Sequence, residues 1–210
     1  MNDVSKVVNF YIQCSKLKRI VRTGWLNWNV QGERVESVAE HIYGVQMLAL
    51  GMYSEFKCNI DIAKVIFMLA VHELEETVIG DLTRFQISKE EKEKIGHEAV
   101  EKILSGLLKG EEIKALIYEF DARETEEAKF AYYCDKLECD IQCKMYDEER
   151  LVDINNQYTK HKEVVEEKIR NGEATWSQLW LESDRHIYED EKFLKVLDYV
   201  NENKILGGKS

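Results

Sequence analysis

Apolar residues recur every three or four positions along most of this chain, which is the spacing of amphipathic helices and not the alternation of strands. The helices that this spacing predicts cover about residues 4–21, 37–52, 61–80, 88–108, 111–120, 125–149, 160–171 and 176–202. The pattern contains no internal repeat, no low-complexity run and no clear linker. It therefore predicts an all-α fold with a single domain over residues 1–210.

Capping residues mark several of the predicted helix starts. Ser37 with Glu40, and Ser88 with Glu91, have the spacing of a capping box, in which each side chain bonds the backbone N–H of the other residue. Asp61 is a good N-cap for the next helix, which is apolar on every side between residues 65 and 71, and this predicts a buried central helix. The chain has no proline, which is typical of long helices with short connections.

The net charge limits the kinds of partner. Lys and Arg total 29 and Asp and Glu total 40, so the formal charge is −11. This balance argues against long nucleic acid or an anionic membrane bound through a general basic surface. No stretch approaches the ~18 apolar residues of a membrane helix, and the N-terminal residues lack the apolar core of a signal peptide. The chain has five cysteines, an odd number, and no two of them have C-x-x-C spacing. This pattern favours reduced thiols. We therefore expect a cytoplasmic protein.

The central apolar run ends abruptly in His72, Glu73 and Glu76. Buried ionisable groups are costly unless they are paired or bind a cation. An imidazole and a carboxylate at one helix end suit a divalent transition metal better than calcium or magnesium. Two further polar residues interrupt apolar patterns, His41 at a helix start and Asp135 inside the long helix. Three simpler interpretations stay open: a charged helix end, a core histidine with a backbone partner, and an Asp135 paired with a neighbouring lysine.

The joint order of these residues resembles the H…HD…D pattern of the HD-domain metal-dependent phosphohydrolases, which are all-α bundles. The segments "ESVAEH", "HELEETVIGDL" and "AKFAYYCDKLE" are similar to the motif segments of one branch, the 5′-deoxynucleotidases that act on nucleoside monophosphates. The resemblance covers about residues 8–145, and the C-terminal part shows only helices, at about 160–202. The resemblance implies four metal ligands, namely His41, His72, Glu73 and Asp135.

The same resemblance implies roles for four more residues. Glu76 and Asp81 fall on catalytic positions, and Arg22 and Trp25 in "RTGW" fall on substrate contacts. The resemblance also implies a cofactor, namely a divalent transition metal such as Mn, Co, Fe, Ni or Zn. The implied partner is a small phosphorylated substrate, namely a nucleotide. The implied assembly is a homodimer. For Trp25, packing of the loop against the core is the alternative.

The predicted function is metal-dependent removal of phosphate from a nucleoside 5′-monophosphate or a similar small phosphoester. In this mechanism a metal-activated water attacks phosphorus, Glu76 positions that water or moves its proton, and Arg22 holds the phosphate.

One departure from the family pattern bears on this prediction. The family's name-giving Asp is Glu73 here, one methylene longer, and metal sites tolerate only small errors in ligand distance. The alternative is therefore a catalytically impaired HD-like protein that binds a nucleotide or a metal without turnover. A third hypothesis takes "ELEE" as the E-x-x-E of all-α nucleoside triphosphate pyrophosphohydrolases, which would leave both His41 and His72 unused. The last is a structural helical protein with no site.

Overall fold

The computed structural model describes residues 3–83, 85–155 and 167–207, and the regular structure in these ranges is helical. The α-helices are α1 (Val4–Cys14), α2 (Thr23–Asn27), α3 (Val38–Glu55), α4 (Ile62–Val71), α5 (Glu76–Ile79), α6 (Lys89–Leu104), α7 (Gly110–Ala122), α8 (Glu126–Glu148), α9 (Trp176–Asp184) and α10 (Glu191–Glu202). Within the described ranges, strand-like pairing is limited to two isolated antiparallel bridges, Val21–Ser37 and Val30–Val152. The predicted all-α class is confirmed. Across the same ranges, no helix is both long enough and apolar enough to cross a membrane.

The predicted helix starts are confirmed by their hydrogen bonds. The Ser37 hydroxyl accepts from the backbone N–H of Glu40, and the Glu40 carboxylate accepts from the backbone N–H of Ser37 at 2.9 Å. Helix α3 therefore begins with a complete capping box. Asp61 caps α4 and Ser88 caps α6, each accepting from backbone N–H groups of the first turn.

The predicted helix over residues 61–80 is interrupted, and this part of the prediction is wrong. Helix α4 ends at Val71, and α5 begins only at Glu76. Between them the chain tightens to i→i−3 hydrogen bonds, from the N–H of Leu74 to the Val71 carbonyl and from the N–H of Glu76 to the Glu73 carbonyl. This tight turn at residues 72–75 changes which directions the acidic side chains take after the apolar run.

Other helix boundaries also differ from the prediction. The first helix ends at Cys14 and is followed by a 3-10 turn, Ser15–Arg19. The helix predicted at 176–202 is divided into α9 and α10 by a second 3-10 turn, Arg185–Ile187. Most of the helix predicted at 160–171 lies outside the described residues, and residues 167–170 are helical.

The chain divides into two compact units. Unit 1 comprises Met1–Thr23 and Glu36–Tyr132, and unit 2 comprises Gly24–Val35 and Tyr133–Ser210. That the two units form a single domain stays a prediction.

Unit 1 is organised around α4, which packs against α3 and α7. Val65, Met68 and Leu69 of α4 are fully buried. Phe67, however, is 48% exposed, so within this unit the central helix has one face that other elements do not cover. A second apolar cluster joins the residues after α4 to α6 and α7, through Val71, Leu74, Val100, Leu104 and Ile117.

Unit 2 is built around aromatic side chains. The four tryptophans of the chain lie in one cluster with Tyr146: Trp25, Trp28, Trp176 and Trp180, with ring centroids of contacting pairs 5.2–5.7 Å apart. In the same unit, Asp140 of α8 is fully buried. It accepts hydrogen bonds from the indole N–H of Trp180 at 2.9 Å and from the Tyr188 hydroxyl.

Candidate metal centre

Three of the predicted metal ligands meet in unit 1. His41, His72 and Glu73 each offer one donor atom, and these atoms lie within 4.8 Å of one another. His41 lies in the first turn of α3, where the Ser37 cap fixes the start of the helix, and His72 caps the C-terminus of α4. His41 is 0% exposed and His72 is 4% exposed, and their ring centroids are 5.6 Å apart. Helix ends that are distant in sequence thus bring two imidazoles and one carboxylate together.

The hydrogen bond of His72 prepares its other nitrogen to bind a metal. Nδ1 of His72 lies 2.8 Å from the carbonyl oxygen of Leu69. A carbonyl can only accept, so Nδ1 carries the proton, and the lone pair of the neutral ring is then on Nε2. Nε2 in turn lies 3.8 Å from Oε1 of Glu73. Two donors bound to one ion at ~2.0–2.2 Å each are at most about 4.4 Å apart, so this pair fits a shared divalent ion.

Asp135, the fourth predicted ligand, belongs to unit 2. It lies on α8, is buried, and its carboxylate is 2.8 Å from Nζ of Lys136. The pairing with a neighbouring lysine that the sequence left open is therefore present, although the carboxylate is buried and not at the surface. The role of Asp135 as a ligand stays a prediction.

Arg22 lies beside the ligand group. Its segment is fixed by the Val21–Ser37 bridge and by a 2.9 Å bond from the Arg22 N–H to the Glu36 carbonyl. Nη1 of Arg22 lies 3.6 Å from Oε1 of Glu73, and both side chains are mostly buried. The structure thus brings the predicted phosphate-binding cation to the predicted ligand.

Glu76 is buried at the start of α5, and its carboxylate is 1% exposed. Burial, and secondly the negative charge of Glu73, raises the pKa of Glu76 well above its ordinary value. Burial and the Glu73 charge also raise the pKa of Glu75 to about 8. The pKa of Glu76 thus depends on the charge of the predicted ligand Glu73. The catalytic role of Glu76 stays a prediction.

Lys92 is a residue of this site that sequence reasoning missed. Its Nζ lies 3.0 Å from Oε1 of Glu76. Burial acts to lower the pKa of Lys92, but the carboxylates of Glu73 and Glu76 outweigh burial and raise that pKa. In the sequence Lys92 stands in "SKEEKEKIG", a charged helix start that is typical of solvent-exposed residues. Lys92 lies four residues after the Ser88 cap and four before Gly96, so it shares a helix face with a residue that has no side chain. This spacing is the sequence signal that could have indicated a packed face at Lys92.

Asp81 bonds the segment that carries Arg22. Its Oδ2 accepts from the backbone N–H of Thr23 at 2.5 Å, and the Thr23 hydroxyl donates to the Asp81 carbonyl at 2.7 Å. Gly80 precedes it with φ of 75°, a backbone conformation that favours glycine. The contact that the structure gives Asp81 is a positioning contact, and its catalytic role stays a prediction.

Trp25 packs into the core of unit 2. It is 2% exposed, and its ring lies edge-on to Tyr146 with centroids 5.3 Å apart. Packing of the loop against the core, the alternative that the sequence left open, therefore accounts for this residue. The role of Trp25 as a substrate contact stays a prediction.

Relatives of similar sequence carry the name 5′-deoxynucleotidase. The chain is 36% identical over 155 residues to the 5′-deoxynucleotidase HDDC2 of Dictyostelium discoideum, a match that covers 70% of this chain and 80% of the relative. It is 35% identical over 151 residues to the 5′-deoxynucleotidase hdd1 of Schizosaccharomyces pombe, covering 67% of this chain and 72% of the relative.

Solved structures show the same fold. A conserved hypothetical protein from Pyrococcus furiosus matches with a TM-score of 0.67 at 25% identity, over 93% of this chain and 99% of the other. A predicted metal-dependent phosphohydrolase from Magnetospirillum magnetotacticum matches with a TM-score of 0.55 at 27% identity, over 70% of this chain and 71% of the other. The family model of the HD domain matches residues 14–180. With its all-α fold and its paired histidines beside a carboxylate, this chain belongs to the HD domain family.

Proposed function

We propose that this protein is a metal-dependent phosphohydrolase that removes phosphate from nucleoside 5′-monophosphates. The observation that carries the proposal is the meeting of the donor atoms of His41, His72 and Glu73 within 4.8 Å of one another, with Arg22 3.6 Å from Glu73. A cation-binding donor set next to an anion-binding guanidinium suits a phosphate ester. The substrate class is supported by the relatives named 5′-deoxynucleotidases.

Asp135 is the proposed fourth ligand, on the family pattern and on its burial in α8. Two imidazoles and two carboxylates favour a transition metal such as Mn, Co, Fe, Ni or Zn over calcium or magnesium. When bound, such an ion supplies a Lewis acid for a phosphate oxygen and lowers the pKa of water.

The side chains around the ligands have separate tasks. Arg22 binds the phosphate through two N–H groups in a bidentate pair, which also fixes the orientation of the ester. Glu76 orients the attacking water and accepts its proton through the carboxylate. Asp81 holds Thr23 and thereby keeps the neighbouring Arg22 at the site.

A phosphate-release screen tests this proposal. Protein purified without chelator is incubated with ribonucleoside and deoxyribonucleoside 5′-monophosphates, with nucleoside triphosphates, and with a simple aryl phosphate. We expect orthophosphate from the monophosphates and its loss after chelation. Release of pyrophosphate from triphosphates would favour the pyrophosphohydrolase hypothesis instead.

One observation favours a second candidate, a nucleotide- or metal-binding protein without turnover. The ligand carboxylate is Glu73 where the family has Asp, and Arg22 already lies 3.6 Å from it. An arginine that neutralises the ligand competes with the metal for the same oxygen. Binding of a nucleoside monophosphate at one site per chain, with no phosphate released in the presence of any of the five metals, would establish this candidate.

A further inference from the structure

Lys92 makes an unusual contact for a residue of a charged helix. Its Nζ lies 3.0 Å from Oε1 of Glu76, whose side chain is 1% exposed. In the part of the chain that the structure describes, Lys92 is the cation in direct contact with Glu76, while the charges of Glu73 and Asp81 are both negative. The ammonium group of Lys92 therefore offsets the negative charge that surrounds Glu76.

The backbone of α6 is shaped for this contact. Gly96 lies four residues after Lys92 and so on the same face of the helix. A Cβ at Gly96 would lie 3.2 Å from Cγ of Glu75, which is closer than most side-chain contacts. The missing side chain lets α6 approach residues 75–76, and this approach brings Lys92 within reach of Glu76.

The ion pair uses only one oxygen of the carboxylate. Oε1 of Glu76 is paired with Lys92, whereas Oε2 is buried and has no hydrogen-bond donor among the described residues. A carboxylate held by one oxygen cannot rotate freely about its terminal bond. The second oxygen is therefore kept in one place, which is what a group that orients a water needs.

We propose that Lys92 is a positioning residue that holds Glu76 through Oε1 and presents Oε2 to the attacking water. This inference rests on the proposed function, in which Glu76 touches that water. Lys92 itself does not touch the substrate.

Four single variants and one double variant test the inference. Lys92→Met removes the charge and keeps a side chain of similar length, whereas Lys92→Arg keeps the charge. Lys94→Met is the matched control, because Lys94 is exposed on the same helix. The remaining two proteins are Glu76→Gln and its combination with Lys92→Met. For each, kcat and KM for phosphate release from a nucleoside 5′-monophosphate are measured together with bound metal and thermal melting.

We expect Lys92→Met to lower kcat by roughly 10²-fold, the effect of a catalytic group displaced by about 1 Å, with little change in KM or metal content. Lys92→Arg should recover most of kcat, and Lys94→Met should match the wild type. In the Glu76→Gln background Lys92→Met should cost little more, because the group that it positions is already gone. If Lys92→Met alone unfolds, Lys92→Gln takes its place in the same comparison, because its amide keeps a hydrogen-bond donor for the Glu76 carboxylate without the charge.

The two proposals fail differently. If the wild type is active, two results would overturn the role of Lys92 alone. One is a Lys92→Met variant with the kcat of the wild type, and the other is a double variant whose kcat falls below that of Glu76→Gln by as much as Lys92→Met falls below the wild type. A wild type that releases phosphate from none of the monophosphates would overturn the proposed function, and the role of Lys92 with it.

Discussion

Nη1 of Arg22 lies 3.6 Å from Oε1 of Glu73, the carboxylate that stands where the family has Asp. The same oxygen lies 3.8 Å from Nε2 of His72. A guanidinium and the imidazole of a proposed metal ligand thus face one carboxylate oxygen. Because the longer side chain of Glu73 can reach either group, we expect the balance between the ion pair and a metal bond to set the metal affinity of the proposed centre.

Substitution of Glu73 measures that balance. Glu73→Ala removes a proposed ligand, and we expect a loss of metal affinity beyond the 10–100-fold that is typical of outer-shell partners. Glu73→Asp restores the family's residue at shorter reach. It should bind metal at least as well as the wild type if the backbone matches the family's, and should fall toward Glu73→Ala if the backbone has moved back to fit Glu. Metal titration of the three proteins is the measurement, and equal affinity in all three would remove Glu73 from the ligand set.

Glu76→Gln separates chemistry from metal retention. The amide keeps the shape of the buried side chain but cannot accept a proton as the carboxylate does. We expect the metal content to persist and kcat to fall by roughly 10²–10⁴-fold. Elemental analysis beside steady-state kinetics checks this. Unchanged turnover, or a metal loss as large as that of His72→Ala, would count against the role of Glu76 as a base.

Arg22 should act on substrate binding. Arg22→Lys keeps the charge but loses the planar pair of N–H groups, and Arg22→Ala loses both. We expect KM for a nucleoside monophosphate to rise in the order wild type, Lys, Ala, while the exposed Arg19→Ala control stays near the wild type. If Arg22 instead mainly restrains Glu73, its removal would tighten metal binding without raising KM, which metal titration of the same variants would reveal.

Local sequence patterns were sufficient for most of the fold. Helix spacing predicted the long helices, and the caps at Ser37, Asp61 and Ser88 are present as hydrogen bonds, because capping depends on residues only a few positions apart. The meeting of His41 with His72 was signalled by polar residues that interrupt apolar stripes. Such residues are costly to bury without a partner, so they mark places where distant segments meet.

Tertiary contacts explain what the sequence pattern missed. The turn at residues 72–75 interrupts a segment whose apolar spacing looks continuous, and its i→i−3 hydrogen bonds have no sequence signature. Lys92 looks like a surface lysine until α6 is placed against Glu76, and Trp25 looks like a loop residue until its aromatic neighbours from later in the chain are known. Each depends on partners that are distant in sequence.

Buried Asp140 makes unit 2 sensitive to pH. Burial raises the pKa of Asp140 to about 7, against the opposing hydrogen bonds from Tyr188 and Trp180. Because the folded state keeps a proton that the unfolded chain releases near its ordinary pKa of 3.8, the free energy of unfolding falls as pH rises from about 4 to about 7. The loss over the whole window is on the order of 4 kcal/mol.

Asp140→Asn provides the comparison, since the amide does not titrate. Urea unfolding at pH 5 and at pH 7.5 should show the stability of the wild type decreasing relative to Asp140→Asn as the pH rises. A difference between the two proteins that is the same at both pH values would show that Asp140 keeps an ordinary pKa in the folded state.

Metal content is the most direct test of the central claim, that His41, His72 and Glu73 form a metal centre. The measurement is elemental analysis of the protein purified without chelator, in the wild type, in His72→Ala and in His97→Ala. His97 is the matched control, because it is also a unit 1 histidine beside a carboxylate, with Nε2 2.8 Å from Asp121. We expect roughly one divalent ion per chain in the wild type and in His97→Ala, and almost none in His72→Ala. A wild type without bound metal after incubation with Mn, Co, Fe, Ni and Zn, or a His72→Ala variant that retains as much metal as the wild type, would contradict the account.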